Sequence, residues 1–298
     1  MPFNRKATGR VRFTPDSRDR YVDMTTMGIC ACNAAASSYW YELKRLAIDL
    51  DSDGKPTFWP SRLFLYYTAR FLDARNINND LQKMVSATLY SGLAGNNPQE
   101  ITIKDYGSEI REPCKILSAL EVPSEGEYQT PLHDEVAPLH TSTTRFTPRV
   151  YGRTMMRIPP MILIATMAIS IPKADGTGYP VIFSYTAYPK FQQETQKKDN
   201  GYVAPMPLAS EVDAENKTSG HTVLAVGWDD DNGRTDGDGN AAKGCFKVKN
   251  SWSATWADEG CFWMPYEWIG MENPYDPENL GELVGDPWTL LGTTAAKL

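Results

Sequence analysis

Only three histidines, His133, His140 and His221, occur in the 298 residues, beside five cysteines, Cys30, Cys32, Cys114, Cys245 and Cys261. Any chemistry that joins a thiol to an imidazole therefore has few places to find its parts. Gly28-Ile29-Cys30 heads an Ala-rich segment with helical spacing. A thiol there faces the unpaired amides and positive end of a helix, which favour the thiolate. His221 opens the apolar run HTVLAVGW, and Asn250 closes CFKVKN, both rich in strand-forming residues. Cys, His and Asn at a helix head, a strand start and a strand end are the parts of a thiolate–imidazolium nucleophile oriented by an amide. Each residue alone has a plainer reading, the thiol as a small buried hydrophobe and the imidazole as a structural group. The ordered trio carries the chemistry.

The surrounding elements divide near the middle of the chain. From Gly28 to about Leu93 the pattern is helical, with GICACNAAASSYWYELKRLAIDL and then SRLFLYYTARFLDA after a Pro60-Ser61 start signal. Lys104 to Leu120 reads as a further helix opened by the Asp105-Tyr106-Gly107 turn. Residues 121–150, rich in Pro, Thr and acidic residues, read as a long surface excursion. Met161 to Ile171 fits either a helix or a buried strand. After residue 178 strands dominate, and 229–240 (DDDNGRTDGDGN) reads as a solvated hairpin loop. The expected organisation is a lead-in over 1–27, a helical lobe over 28–160 and a β-rich lobe over 161–298, an α+β fold.

Composition limits the function classes. With 41% apolar, 11% aromatic and 22% charged residues the chain can bury a large core. A net charge of −7 and no basic stretch argue against nucleic acid as the main partner. No run approaches the roughly 20 apolar residues of a membrane span. The charged first twenty residues lack an apolar core, so no signal peptide is expected, and the setting expected is cytoplasmic or virus- or assembly-associated. Five cysteines leave at least one thiol free and make no disulfide scaffold. The Cys30-x-Cys32 pair falls short of paired zinc knuckles, so no metal site is assigned.

Longer motifs extend the trio. Pro15-Asp16-Ser17-Arg18-Asp19, Gly28-Ile29-Cys30-Ala31-Cys32-Asn33-Ala34, Pro60-Ser61-Arg62-Leu63-Phe64-Leu65-Tyr66-Tyr67 and Gly178-Tyr179-Pro180-Val181-Ile182-Phe183 occur in that order. They are followed by Ser219-Gly220-His221 through Gly227, by Asn250-Ser251-Trp252 through Trp256, by Gly260 and Phe262-Trp263-Met264-Pro265-Tyr266, and by Gly285-Asp286-Pro287-Trp288-Thr289. Together they resemble the papain-like cysteine peptidases, in particular the branch found in bacteria. The resemblance implies a two-lobed fold, with a helical N-terminal lobe packed on a β-rich, barrel-like C-terminal lobe and an active-site cleft between them. It implies a peptidase acting on a polypeptide substrate, with Cys30 as nucleophile, His221 as general base and Asn250 as its orienting amide. Trp252 would shield the His–Asn bond, and Gly107 would offer backbone to an extended substrate. Cys30 and His221 are 191 residues apart, against roughly 130–150 in compact relatives. The excess is assignable to 76–97, to 121–150 and, between His221 and Asn250, to 229–240.

The sequence also departs from that pattern. Where the family places an oxyanion-hole Gln six residues before the nucleophile, this chain has Met24, which donates no hydrogen bond. Ser253 and Ala257 replace glycines after Asn250, and Ile29 replaces a small residue. A catalytically inactive relative with a binding or structural role in a larger assembly is the alternative these changes raise. The 29 residues before Cys30 are expected to be too few for a long pro-segment, with restraint supplied by the lead-in or by 121–150 lying over the cleft. Asp49-x-Asp51-x-Asp53-Gly54 repeats half of a calcium loop, but its twelfth position is Pro60 rather than Glu. A polar turn is the main reading there, with calcium at Asp49, Asp51 and Asp53 the lesser one.

Overall fold

The computed structural model describes residues 28–48, 50–77, 107–119, 122–125, 153–157, 178–206, 219–235, 241–269, 271 and 283–292. The lead-in motif, Asp49, 78–93, 126–150 with His133 and His140, and 161–171 lie outside them, as do the expectations placed there.

Helix α1 (Cys30–Arg45) is buried on nearly every side. Its small residues, Ala31, Ala34, Ala35 and Ala36, allow that close approach. It ends in a Schellman arrangement. Ile48 N–H donates to Leu43 O at 2.9 Å and Ala47 N–H to Lys44 O at 3.1 Å, with Ala47 at φ 53°. Lys44 and Arg45 in the last turn complement the helix dipole.

Helix α2 (Arg62–Ile77) is opened by Ser61, whose Oγ accepts from Phe64 N–H at 3.1 Å. Between the two helices Asp51 Oδ1 accepts from Asp53 N–H at 3.0 Å and Lys55 N–H at 2.9 Å. Leu50 and Pro56 bridge across this turn and Gly54 sits at φ 71°. That carboxylate oxygen closes a polar turn, which is the main reading of the sequence. Helix α3 spans Arg111–Ala119. It begins after Gly107, whose left-handed φ of 79° falls in the turn expected to open the helix.

Among the described residues, six strands form one antiparallel sheet in the order β1-β6-β2-β3-β4-β5, with β1 Arg153–Arg157, β2 Val181–Ala187, β3 Ser219–Thr235, β4 Ala241–Lys249, β5 Cys261–Pro265 and β6 Val284–Gly292. The sheet thus reaches back to residue 153, ahead of the expected boundary at 160/161. Part of the loop expected over 229–240 is strand. β3 continues to Thr235, and Gly233, Arg234 and Thr235 pair with Lys243, Ala242 and Ala241 after a register shift. Cross-strand pairing outweighs the poor strand propensity of Asp, Asn and Gly in this two-stranded arm.

Alternation along the strands divides the core in two. Val181, Phe183, Tyr185, Val223 and Ala225 face a cluster with Phe191 of helix α4 (Pro189–Thr195), Phe246, Phe262 and Trp268. Ile182, Leu224, Val226 and Leu290 face the other way, against α1, Leu65 of α2, and Cys114 and Ile116 of α3. Helices α1 to α3 on one face of the antiparallel sheet, with the short α4 on the other, give the expected α+β architecture. No described helix is long and apolar enough to cross a membrane.

Candidate active site

Cys30 is the first residue of α1, where the helix itself supplies no acceptor for the amide. Ile29 before it contributes no side-chain cap, and the first turn contains no acidic residue. Nothing in that turn therefore competes with a sulfur anion for the positive end of the helix. The helix head is held by Arg62, whose guanidinium donates to Asn33 Oδ1 at 3.1 Å and to Glu125 Oε1 at 3.2 Å. Glu125 Oε2 also accepts from Arg62 N–H at 2.9 Å, and Glu125 N–H donates to Trp59 O at 2.8 Å. Asn33 Nδ2 in turn donates to Ile29 O at 3.3 Å. One buried cation thus fastens the start of α1 to the start of α2 and to 122–125.

His221 stands near the start of β3, opposite Tyr185 of β2, and is 7% exposed. Asn250 follows β4 directly, and its N–H donates to Gly260 O at 2.9 Å. Asn250 Oδ1 lies 2.8 Å from His221 Nε2 and also accepts from Ser251 N–H at 2.8 Å. A backbone N–H can only donate, so the atom it meets is the amide oxygen. His221 must then carry a proton on Nε2, which leaves Nδ1 for Cys30. Trp252 stacks on the imidazole with centroids 5.1 Å apart, and Tyr185 meets it edge-on at 5.6 Å. Trp256 supports Trp252 at 4.9 Å. The indole and phenol walls keep water from the ring and its bond to Asn250.

The electrostatics follow from these contacts. Burial by itself would raise the Cys30 thiol, but the hydrogen bond and charge of His221, with hydrogen bonds from the Thr222 amide and hydroxyl, outweigh it and hold Cys30 below the ordinary thiol range. Burial would likewise lower His221, yet the hydrogen bond and charge of Cys30 and the bond to Asn250 raise it. Each group thus favours the charged form of the other. The remaining cysteines contrast with this one. Cys245 is pushed up to about 12 by burial and then by Glu267 and Asp229, and burial sends Cys114 well above its usual range.

Of the residues singled out in the sequence, Cys30, His221, Asn250 and Trp252 therefore come together. Gly107 packs beside Gly28, two residues before Cys30. A Cβ built on it would lie 3.6 Å from Gly28 O, and Ser108 Oγ is 3.8 Å from Cys32 Sγ. Met24 is outside the described residues. Ser251 N–H, Thr222 and the Arg62–Glu125 pair were not singled out. Only strand alternation from His221, and the quoted Pro60-Ser61-Arg62 motif, carried any sequence signal for them. Among the described residues no group of three or more His, Cys, Asp or Glu side chains could hold a metal ion.

The turn after Asn250 contains a strained substitution. Ala257, in a position where the motif has glycine, adopts φ 48°. Left-handed backbone costs a residue with a Cβ roughly 1–2 kcal/mol, partly offset by the lower entropy of an unfolded alanine. Ala257→Gly is therefore expected to stabilise the fold by about 1 kcal/mol, read as a higher urea midpoint at unchanged slope. An unchanged or lowered midpoint would contradict that strain.

The chain is similar to several known proteins. The family described as papain family cysteine protease matches residues 184–273, which include His221 and Asn250. A protein of Acanthamoeba polyphaga mimivirus, named as an uncharacterized peptidase C1-like protein, is 26% identical over 257 residues, 85% of this chain and 66% of its own length. The chain thus spans just under two thirds of that curated relative. Among solved structures, the cysteine protease and lectin-like domains of Cwp84, a surface layer associated protein of Clostridium difficile, align at TM-score 0.51 and 15% identity. That alignment covers 90% of this chain and 48% of theirs. Xylellain, a cysteine protease from Xylella fastidiosa, aligns at TM-score 0.49 and 21% identity, over 90% and 81%.

Proposed function

We propose, for a chain that is a member of the papain family of cysteine proteases, that it hydrolyses peptide bonds with Cys30 as nucleophile. The observation that carries this reading is the mutual stabilisation of a Cys30 thiolate and a protonated His221, with Asn250 Oδ1 fixing the ring. The thiolate attacks the carbonyl carbon, a C–S bond forms and the carbonyl electron pair moves to oxygen. The Cys30 N–H, in the first turn of α1, donates to that oxyanion. As the C–N bond breaks, His221 gives its Nδ1 proton to the leaving amine. Neutral His221 then takes a proton from water, the hydroxide attacks the thioester, and collapse returns thiolate and imidazolium. Trp252 shields the His221–Asn250 bond throughout. Gly107, lacking a side chain beside Gly28, leaves backbone accessible to an extended substrate.

Below the lowered Cys30 pKa the thiol is protonated and inert. Above the raised His221 pKa the thiolate persists, but no proton is held for the leaving amine. Hydrolysis is therefore bell-shaped between the two.

Met24 favours a second reading, a non-catalytic binding or structural role in a larger assembly, since the family's second oxyanion donor is a Gln at that position. A cytoplasmic or virus- or assembly-associated setting is proposed for either role on the sequence expectation alone. Turnover of a proteome-derived peptide library separates the two. Slow cleavage by the natural chain is expected, raised about tenfold in Met24→Gln, a part of the 10²–10³ such a donor typically supplies. No cleavage by either form would favour the binding role.

A further inference from the structure

His221 and Thr222 are neighbours on β3, so their side chains point to opposite faces of the sheet. Val223 and Ala225 share His221's face and enter one core cluster, while Leu224 and Val226 share Thr222's face and pack against α1. Thr222 is therefore aimed at the side from which α1 approaches, and only 6% of it is exposed. Opposite it on β2 is Ser184, whose hydroxyl donates to Gly285 O at 3.0 Å and is thereby committed to β6. The amide and the hydroxyl of Thr222 are both among the groups that hold the Cys30 thiol down. A backbone amide at this place is available to any residue type; the hydroxyl belongs to threonine or serine alone.

We propose that Thr222 is a positioning residue for the nucleophile, its hydroxyl donating to the Cys30 sulfur anion from the α1-facing side of β3. This inference rests on the reading of Cys30 as nucleophile. A donor to sulfur stabilises the thiolate far more than the thioester, whose sulfur is a poor acceptor. The hydroxyl thus keeps the resting anion populated at lower pH and makes Cys30 a better leaving group when the acyl-enzyme collapses, while reducing its intrinsic nucleophilicity. No covalent bond or proton transfer involves Thr222 itself. Among the described residues, the titratable groups interacting with Cys30 are His221 on β3 and the Tyr185 phenol on β2. The first turn of α1 has no acidic residue, and Asp286 of β6 acts on Cys114 of α3.

The test is the pH dependence of iodoacetamide alkylation at Cys30, followed by peptide mass spectrometry on the full chain and on Thr222→Val, Thr222→Ala and Thr222→Ser. Loss of the hydroxyl in Val or Ala is expected to move the midpoint up by roughly one pH unit and to raise the plateau rate about threefold, while Ser keeps the original midpoint. A merely structural role would lower the plateau through misplacement and leave the midpoint where it was. A wild-type midpoint in both Val and Ala, or Ser moving as far as they do, would overturn the role of the hydroxyl alone. An ordinary thiol midpoint in the unsubstituted chain would overturn the nucleophile first and this inference with it.

Discussion

Replacing Cys30 by alanine is expected to reduce peptide hydrolysis by on the order of 10⁴-fold or more, with no loss of folded structure. The site is half-buried, and α1 tolerates small residues throughout, so the substitution removes a reacting atom without opening a large cavity. His221→Ala is expected to cost a similar factor, because thiolate and imidazolium act as one unit. The double variant should therefore lose little more than either single variant. Losses that multiply would show that the two residues act independently. The same Cys30→Ala chain has a second signature. Without the sulfur that raises it, and still buried, the His221 ring should titrate lower than in the natural chain, as read by NMR. An unchanged ring pKa would break the link between the two residues.

Arg62→Ala is expected to destabilise the fold by about 3 kcal/mol. The guanidinium lies buried between Asn33 and Glu125, with 5% of the Arg62 side chain and 20% of the Glu125 side chain exposed. Removing it leaves the Glu125 carboxylate and Asn33 Oδ1 without their charge-assisted donors, and the start of α1 loses its tie to α2. Glu125 still accepts from the amide of residue 62, which limits the cost. The effect is read from urea denaturation. The loss should shrink in the Glu125→Gln background, where no anion is left uncompensated. An Arg62→Ala midpoint within experimental error of the natural chain would mean the network contributes nothing to the fold.

The trio itself was legible because its members are rare residue types with fixed chemistry. One imidazole heads a strand, one thiol heads a small-residue helix, and one amide ends a strand before Ser251-Trp252. Residues whose role depends on a partner distant in sequence were less legible. Thr222 is an ordinary strand residue until the register with β2 and the approach of α1 are known, and Arg62 reads as a helix-start residue until Glu125 is seen beside it. The errors of extent have the same origin. Asp229–Thr235 looked like a loop by composition, yet pairing with β4 extends it as a strand, whereas the turn expected at Gly107 is found there and α3 starts only at Arg111. Ala257 was recognisable as a replaced glycine, and only the backbone angle showed that its conformation is strained.

The paired thiolate and imidazolium are tested most sharply by the alkylation rate of each of the five cysteines of the natural chain across about pH 4 to 9. Cys30 is expected to react fastest, with a midpoint below that of an ordinary thiol, while buried Cys245 and Cys114 stay unreactive over the whole range. A Cys30 midpoint at the usual thiol value, or labelling no faster than at Cys245, would contradict it.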